Sequence, residues 1–325
     1  MGIFALVRSG VATPDDARPE ESVKTLLTAA FQRGGVKFTW LDAWHLDLVL
    51  NGRLVSASLD DVVRSWRLTP EARRGEVVER WVDATLAYPD WEARRAELAE
   101  TYAAAEGRLL LRLQPAGHAK PEHGIVREYA PGIDVALFLD VDRPANGVAS
   151  PESPVTKAEL ARWATAELDV LAAARANTRR VIEPWHVGIQ ELEHASRVSL
   201  VVSEDSRGAS PALFLPDLLP APAPHGVVLA VPQHDTAMIH LIGDQQRTGV
   251  AVPWMVARAA QMFAVLPHPV SPELYWWRDG DVSLIPVERG GADWQVTPPE
   301  EFRSMYAGLP TTADELGDYD EPLLA

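Results

Sequence analysis

The residues best suited to chemistry lie in a short polar segment between two apolar runs. Gln233, His234 and Asp235 follow the run that ends at Pro232, and His240 lies in the second run. A carboxylate beside an imidazole can act as a general base or bind a metal ion, and titratable groups at the end of a buried strand are typical of functional sites. Asp235, His234 and His240 are therefore the candidate catalytic residues.

A structural explanation competes with the catalytic one. Asp in a turn commonly hydrogen-bonds the backbone two residues later, and His in a turn can be ordinary surface. His234 and His240 differ by an even number, which would place them on one face of a continuous strand, but a turn between them removes that constraint. Ligand spacing this loose does not predict a metal site, and we expect no metal and no cofactor.

Other catalytic signatures are missing from the sequence. It has no Gly-x-Ser-x-Gly elbow, no phosphate-binding Gly-x-x-x-x-Gly-Lys-Ser/Thr loop and no Gly-x-Gly-x-x-Gly fingerprint. His186 and His194 lack the His-Glu-x-x-His spacing of zinc proteases. The chain contains no Cys, which excludes disulfides, zinc-thiolate sites, iron–sulfur clusters and thiol nucleophiles.

Other residues suggest binding. Trp276 and Trp277 are consecutive in a predicted strand, so their side chains point to opposite faces and one of them should lie outside the main core. Asn177 ends an Arg-rich helix, where a structural cap is the favoured interpretation, although it could also line a pocket beside the polar segment. The predicted binding residues are Gln233, Asp235, Asn177, Trp276 and Trp277.

The elements that must position these residues are readable from periodicity. The apolar runs on both sides of the polar segment predict a hairpin over residues 227–242 that is buried on both faces. Met255, Ala259, Met262 and Phe263 recur at helical spacing, with Pro253 placed near the helix start. A last hairpin over residues 273–287 is predicted to turn through an Asp-Gly pair.

The whole chain is predicted to be an α+β protein with antiparallel or mixed sheets flanked by helices, in two lobes. Residues 20–113 form the predicted N-terminal α+β lobe and residues 125–297 the C-terminal α+β lobe. Between them lies a segment rich in Pro, Gly and His, which is typical of a linker. Residues 298–325 are rich in Pro and acidic residues and are predicted to be a loose tail.

The second half resembles the YtpQ-like family of bacterial proteins, which is known only as a domain of unknown function. The resemblance lies in the run 226–232 with its Gln233-His234-Asp235 corner, the helix through Met262, and the segment 267–279. It implies a cytoplasmic α+β protein and supplies no reaction. The family pattern has His before Gln at the corner; the order is exchanged here, which sends the side chains to opposite faces.

Charge restricts the partners. Lys and Arg number 30 against 46 Asp and Glu, a net charge of −16, and such a surface repels nucleic acid and anionic membranes. The first residues lack the features of a secretion signal, so we expect a cytoplasmic protein. The sequence favours a non-catalytic module that binds a protein or small ligand; the alternative is a hydrolase with metal- or carboxylate-assisted chemistry around His234 and Asp235.

Overall fold

The computed structural model describes residues 7–8, 19–141, 153–183, 185–203, 210–219, 223–266, 268–290 and 293–312, and the predicted α+β class is confirmed. The helices are α1 (Pro19–Arg33), α2 (Asp60–Leu68), α3 (Arg74–Leu86), α4 (Tyr88–Leu98), α5 (Tyr102–Ala105), α6 (Lys157–Trp163), α7 (Glu167–Ile182), α8 (Leu215–Leu218), α9 (Gln245–Val265) and α10 (Glu300–Ala307). The strands are β1 (Val7–Arg8), β2 (Lys37–Trp40), β3 (His45–Leu50), β4 (Arg53–Ser58), β5 (Leu109–Pro115), β6 (Val126–Ala130), β7 (Ile133–Leu139), β8 (Trp185–Glu191), β9 (Arg197–Ser203), β10 (Val227–Gln233), β11 (Thr236–Leu241), β12 (Leu274–Arg278), β13 (Asp281–Ile285), β14 (Val287–Gly290) and β15 (Asp293–Val296).

The N-terminal helices α1 to α3 share a core with the antiparallel sheet β2–β3–β4. Val23, Leu27 and Phe31 recur on one face of α1 and are fully buried against Leu46 and Leu48 of β3. The tight turn between β3 and β4 is formed by an Asn-Gly pair with positive φ at both residues, as two-residue hairpin turns require.

A second antiparallel sheet has the order β5–β7–β6 and is covered on one face by α7. Its strand β5 falls inside the predicted N-terminal lobe, yet it pairs along its whole length with β7 of the predicted C-terminal lobe. Arg95 of α4 also forms a 2.6 Å ion pair with Glu159 of α6. The predicted division between residues 113 and 125 therefore cuts through a sheet, because the pairing of distant strands leaves no mark in local composition.

The central sheet is antiparallel and six-stranded, in the order β13–β12–β10–β11–β9–β8. Helices α9 and α10 pack on one face, where Val228, Met238 and Trp276 belong to the same core as Phe302. The other face packs against the β5–β7–β6 sheet through Leu229 and its neighbours. The predicted hairpin buried on both faces is confirmed as β10 and β11.

Helix α9 begins earlier than the sequence pattern indicates. Asp244 is its N-cap and accepts a 2.7 Å hydrogen bond from the backbone N–H of Arg247, so Pro253 lies inside the helix rather than near its start. The carboxyl end is capped from the N-terminal part of the chain. Arg64 of α2 donates to the carbonyl oxygens of Phe263, Ala264 and Leu266 at 2.8, 3.1 and 3.1 Å.

The prediction of a loose tail over residues 298–325 is wrong for the first half of that segment. Helix α10 lies within residues 298–325, and its Phe302 is fully buried while Tyr306 is nearly so. The Tyr306 hydroxyl donates to the carbonyl oxygen of Gln245 at 2.8 Å, which joins the two helices. The acidic residues of this segment made the apolar face of the helix hard to recognise in the sequence. Residues 313–325 lie outside the described residues.

Candidate functional site

The polar corner of the central hairpin is a two-residue turn of His234 and Asp235 between the paired residues Gln233 and Thr236. The Gln233 amide donates to Asp235 Oδ1 and, at 2.8 Å, to Thr236 Oγ1. The Thr236 hydroxyl donates to Asp235 Oδ1 at 3.0 Å. The carboxylate is therefore held by side chains of its own hairpin, and Gln233 and Asp235 do lie together as predicted.

Burial raises the pKa of the Asp235 carboxyl above its ordinary value, although hydrogen bonds from Thr236 and Gln233 and the charge of His268 act to lower it. A second segment closes the corner. The His234 and His268 rings stack with centroids 4.6 Å apart, and Pro269 forms a β-bridge with Gln233. The corner thus combines one carboxyl with two imidazoles.

His240, the third predicted catalytic residue, does not belong to this corner. It pairs with Val228 at the far end of the hairpin and lies on the face covered by α9. Its Nδ1 and Nε2 are hydrogen-bonded to the Arg197 carbonyl at 2.8 Å and to Thr248 Oγ1 at 3.2 Å. Burial lowers the pKa of His240 to about 4. In the folded chain His240 is a neutral residue with a structural role. The three-dimensional fold therefore removes it from the catalytic candidates at the corner.

Asn177 also has a structural environment. It is buried in α7, where its amide donates to the carbonyl oxygens of Glu106 and Leu109 at 2.7 and 3.0 Å and its oxygen accepts a hydrogen bond from Arg180. None of these bonds reaches the corner. Asn177 lies inside α7, which continues to Ile182, so the predicted cap at a helix end is wrong; its amide instead fixes the turn that leads into β5.

The two tryptophans point to opposite faces of β12, as predicted. Trp276 is only 5% exposed, packs edge-on against Phe302 at 5.4 Å and donates to the His225 carbonyl at 2.9 Å. Trp277 is half-buried against the core on the other face. Trp277 lies outside the core beneath α9, as predicted, but it packs on a second core because both faces of this sheet are covered.

A groove lies elsewhere, between the edge strand β8 and helix α9. Its volume is about 510 Å³. The lining residues are Gly188, Ile189, Gln190, Leu200, Trp254, Ala257, Arg258, Gln261 and Trp294. Aromatic and aliphatic groups dominate the lining, with a few polar groups, which is the usual make-up of a binding site.

Gly188 gives the groove its depth. It pairs with Leu200, whose side chain packs in the core beneath α9, so Gly188 faces α9 as well. An added Cβ would meet nothing closer than the Leu200 carbonyl oxygen, at 3.9 Å. The space beside Trp254 therefore exists because position 188 carries no side chain.

The groove was missed from the sequence, although a signal was present. A Gly inside a strand pattern indicates a close approach by another group, and Gly188 lies between His186 and His194. Nothing local shows that α9 and β8 leave a gap.

The described residues contain no cluster of three or more His, Asp or Glu side chains suited to a metal ion. None of the described helices is long and apolar enough to cross a membrane. No family model, curated protein or solved structure matches the chain. The resemblance to the YtpQ-like family consequently stays a prediction.

Proposed function

We propose that this protein is a binding module that holds an apolar side chain of a partner protein's extended segment in the groove between β8 and α9. The observation that carries the proposal is the half-buried ring of Trp254, which lies with the buried Trp294 beside the open position Gly188. Tryptophans around a pocket are typical of residues that dominate binding energy, because their large rings bury much apolar area at little entropic cost.

The polar corner is less suited to binding a partner than the groove is. The Asp235 carboxylate already accepts hydrogen bonds from Gln233 and Thr236. A partner at the corner would have to displace these internal contacts. A partner in the groove would cover the half-buried Trp254 ring and would remove apolar surface from water.

The test begins with panning a random twelve-residue peptide library, displayed on phage, against the full chain. Enriched peptides are synthesised and titrated, and the indole N–H resonances of Trp254 and Trp294 report whether the groove is occupied. We expect Gly188→Val to weaken these peptides at least about tenfold, since its side chain fills the groove. That factor corresponds to about 1.4 kcal/mol.

Two variants serve as controls. Gly188→Ala adds one methyl group and should have a smaller effect, while Leu54→Val, on the exposed surface of β4, should have none. The proposal is overturned if no peptide is enriched, or if enriched peptides bind Gly188→Val as tightly as the unaltered protein.

A second candidate function is acid–base catalysis at the corner, which rests on the raised pKa of Asp235 beside His234 and His268. A carboxyl whose pKa is raised keeps its proton to higher pH than an ordinary Asp and can act as a general acid or base. A panel of chromogenic esters and phosphate esters tests it. Turnover that disappears in Asp235→Asn would support this function, and equal rates for both proteins would remove it.

A further inference from the structure

The free edge of β8 has a defined set of backbone groups. In an antiparallel pair, alternate residues direct both N–H and C=O toward the partner strand. The Leu192 N–H donates to the Ser196 carbonyl at 2.8 Å, in register with the β8–β9 pairing, so the even-numbered residues of β8 bond to β9. The odd-numbered residues Val187, Ile189 and Glu191 must then direct their backbone groups away from the sheet.

The next strand gives an independent check of this parity. The Ser203 N–H donates to the Asp235 carbonyl at 3.0 Å, so the odd-numbered residues of β9 bond to β11 and its even-numbered residues bond to β8. Within the described part of the chain, β8 is the outer strand and nothing pairs with its other side. A row of unpaired donors and acceptors is a template for another strand.

We infer that the partner segment adds to β8 as a seventh strand, aligned with Val187 to Glu191, and places one apolar side chain in the groove and a carboxylate on Arg258. This inference rests on the proposed function and names the partner's conformation and chemistry. Strand addition of this kind uses main-chain hydrogen bonds for affinity and side-chain pockets for specificity.

The charge around the groove selects the carboxylate. Helix α9 contains two Arg and no acidic residue, in a chain whose net charge is −16. Arg258 is exposed, and its guanidinium donates to the neutral Gln261 oxygen at 2.7 Å. No described carboxylate forms an ion pair with Arg258. A carboxylate of the partner would supply the counter-charge and could accept from the guanidinium in a bidentate manner.

The spacing of the two anchors follows from strand geometry. Side chains of an extended segment point to the same face at every second residue. The groove and Arg258 both lie on the α9 side of β8. The partner motif is therefore an apolar residue and an Asp or Glu separated by one residue, in either order.

A change on β8 itself tests the strand addition. Ile189→Pro removes an outward N–H without removing a bond to β9, so the sheet should remain folded. We expect Ile189→Pro to weaken the enriched peptides at least about tenfold. The matched variant Ile189→Val keeps the N–H and a branched apolar side chain, and it should bind within about twofold of the unaltered protein. Circular dichroism melting of both variants verifies folding.

The peptides themselves provide a second test that does not depend on the variants' stability. N-methylation at successive residues should weaken binding at every second position only. Replacing the peptide's acidic residue by its amide should weaken binding about two- to fivefold, and this loss should vanish in Arg258→Gln.

The outcomes separate this inference from the proposed function. Peptides that occupy the groove but ignore both Ile189→Pro and N-methylation overturn the added strand and leave groove binding in place. Enriched peptides without an acidic residue overturn the carboxylate assignment. Sedimentation equilibrium examines another occupant: a dimer of the free protein that Ile189→Pro dissociates would show that a second copy of the chain takes this edge, and would overturn the inference.

Discussion

The central hairpin and the edge strand β8 belong to one sheet, yet their polar groups are used differently. In the hairpin, Asp235 and His240 are bonded to neighbouring groups of the same chain. In β8, the parity of the ladder leaves backbone groups of Val187 and Ile189 directed outward. Asp235 Oδ1 and both ring nitrogens of His240 thus have partners within the chain, while the buried Gln233 Oε1 has none. At the edge, the groups available to a partner are backbone atoms beside the groove.

Titratable residues that cluster in a sequence are therefore weak evidence for a functional site when they lie on a buried hairpin. Burial forces each polar group to find a partner, because an unsatisfied one costs free energy. The same requirement does not apply at an exposed edge, where water satisfies the backbone until a partner arrives. The comparison predicts that substitutions in the hairpin change stability, and that substitutions in β8 change binding.

The largest effect is expected for His240→Leu. The change leaves Thr248 Oγ1 and the Arg197 carbonyl without their partner in a buried place, which should lower the free energy of unfolding by about 2–4 kcal/mol. Urea denaturation at pH 7 measures this loss. His186→Gln, at an exposed histidine of β8, is the control and should change stability by less than about 0.5 kcal/mol.

The same residue gives the unaltered protein a pH dependence. Because the pKa of folded His240 is lowered from 6.5 to about 4, the unfolded chain binds this proton more readily. Its contribution to stability is complete above pH 6.5 and is lost as the pH falls toward 4, at up to about 1.4 kcal/mol per pH unit. His240→Leu should lack this component; an unchanged slope would contradict the buried, neutral assignment.

Asp235 should give a smaller pH dependence of stability, with a sign opposite to that of His240. Since its pKa is raised, the folded protein holds the proton more tightly than the unfolded chain does. Stability from this group is complete below the unfolded pKa and is lost as the pH rises through the folded pKa. Asp235→Asn, which cannot ionise, should therefore gain stability relative to the unaltered protein between pH 4 and pH 7. Parallel unfolding curves over this range would count against a buried carboxyl.

The smallest change in stability is expected at the edge. Gly188 has an ordinary strand conformation and room for a Cβ. Gly188→Val should therefore alter the free energy of unfolding by less than about 1 kcal/mol. The direction should be a gain, because Val has the higher strand propensity. Thermal melting measures it. A large loss would mean that the groove is a packed part of the core, and the contrast with the hairpin would fail.

Much of the local structure was predictable from the sequence. The hairpin β10–β11, the Asn-Gly turn before β4 and the opposite faces of Trp276 and Trp277 follow from periods and turn residues that act over a few positions. The cap of α6 is another example, because Thr156 and Glu159 form a capping box whose Thr-x-x-Glu pattern is readable in the sequence. These features depend on neighbours in the chain, so the chain alone specifies them.

The candidate site was less predictable. Gln233 and Asp235 share the corner, but His240 lies at the far end of the hairpin, on the face covered by α9. Trp276 was covered by α10, whose acidic sequence was assigned to a loose tail. Each error arose where a distant segment covers a local feature, which a single sequence does not record.

Composition and short-range periodicity were sufficient to predict the fold class, the exclusion of thiol and disulfide chemistry, and the central hairpin. They could not predict that β5 joins β7, that His240 is a neutral buried residue, or that Gly188 and Trp254 border one groove. These features follow from burial and strand-edge exposure, which depend on contacts between residues far apart in the chain. An edge becomes an edge only when no other segment pairs with it.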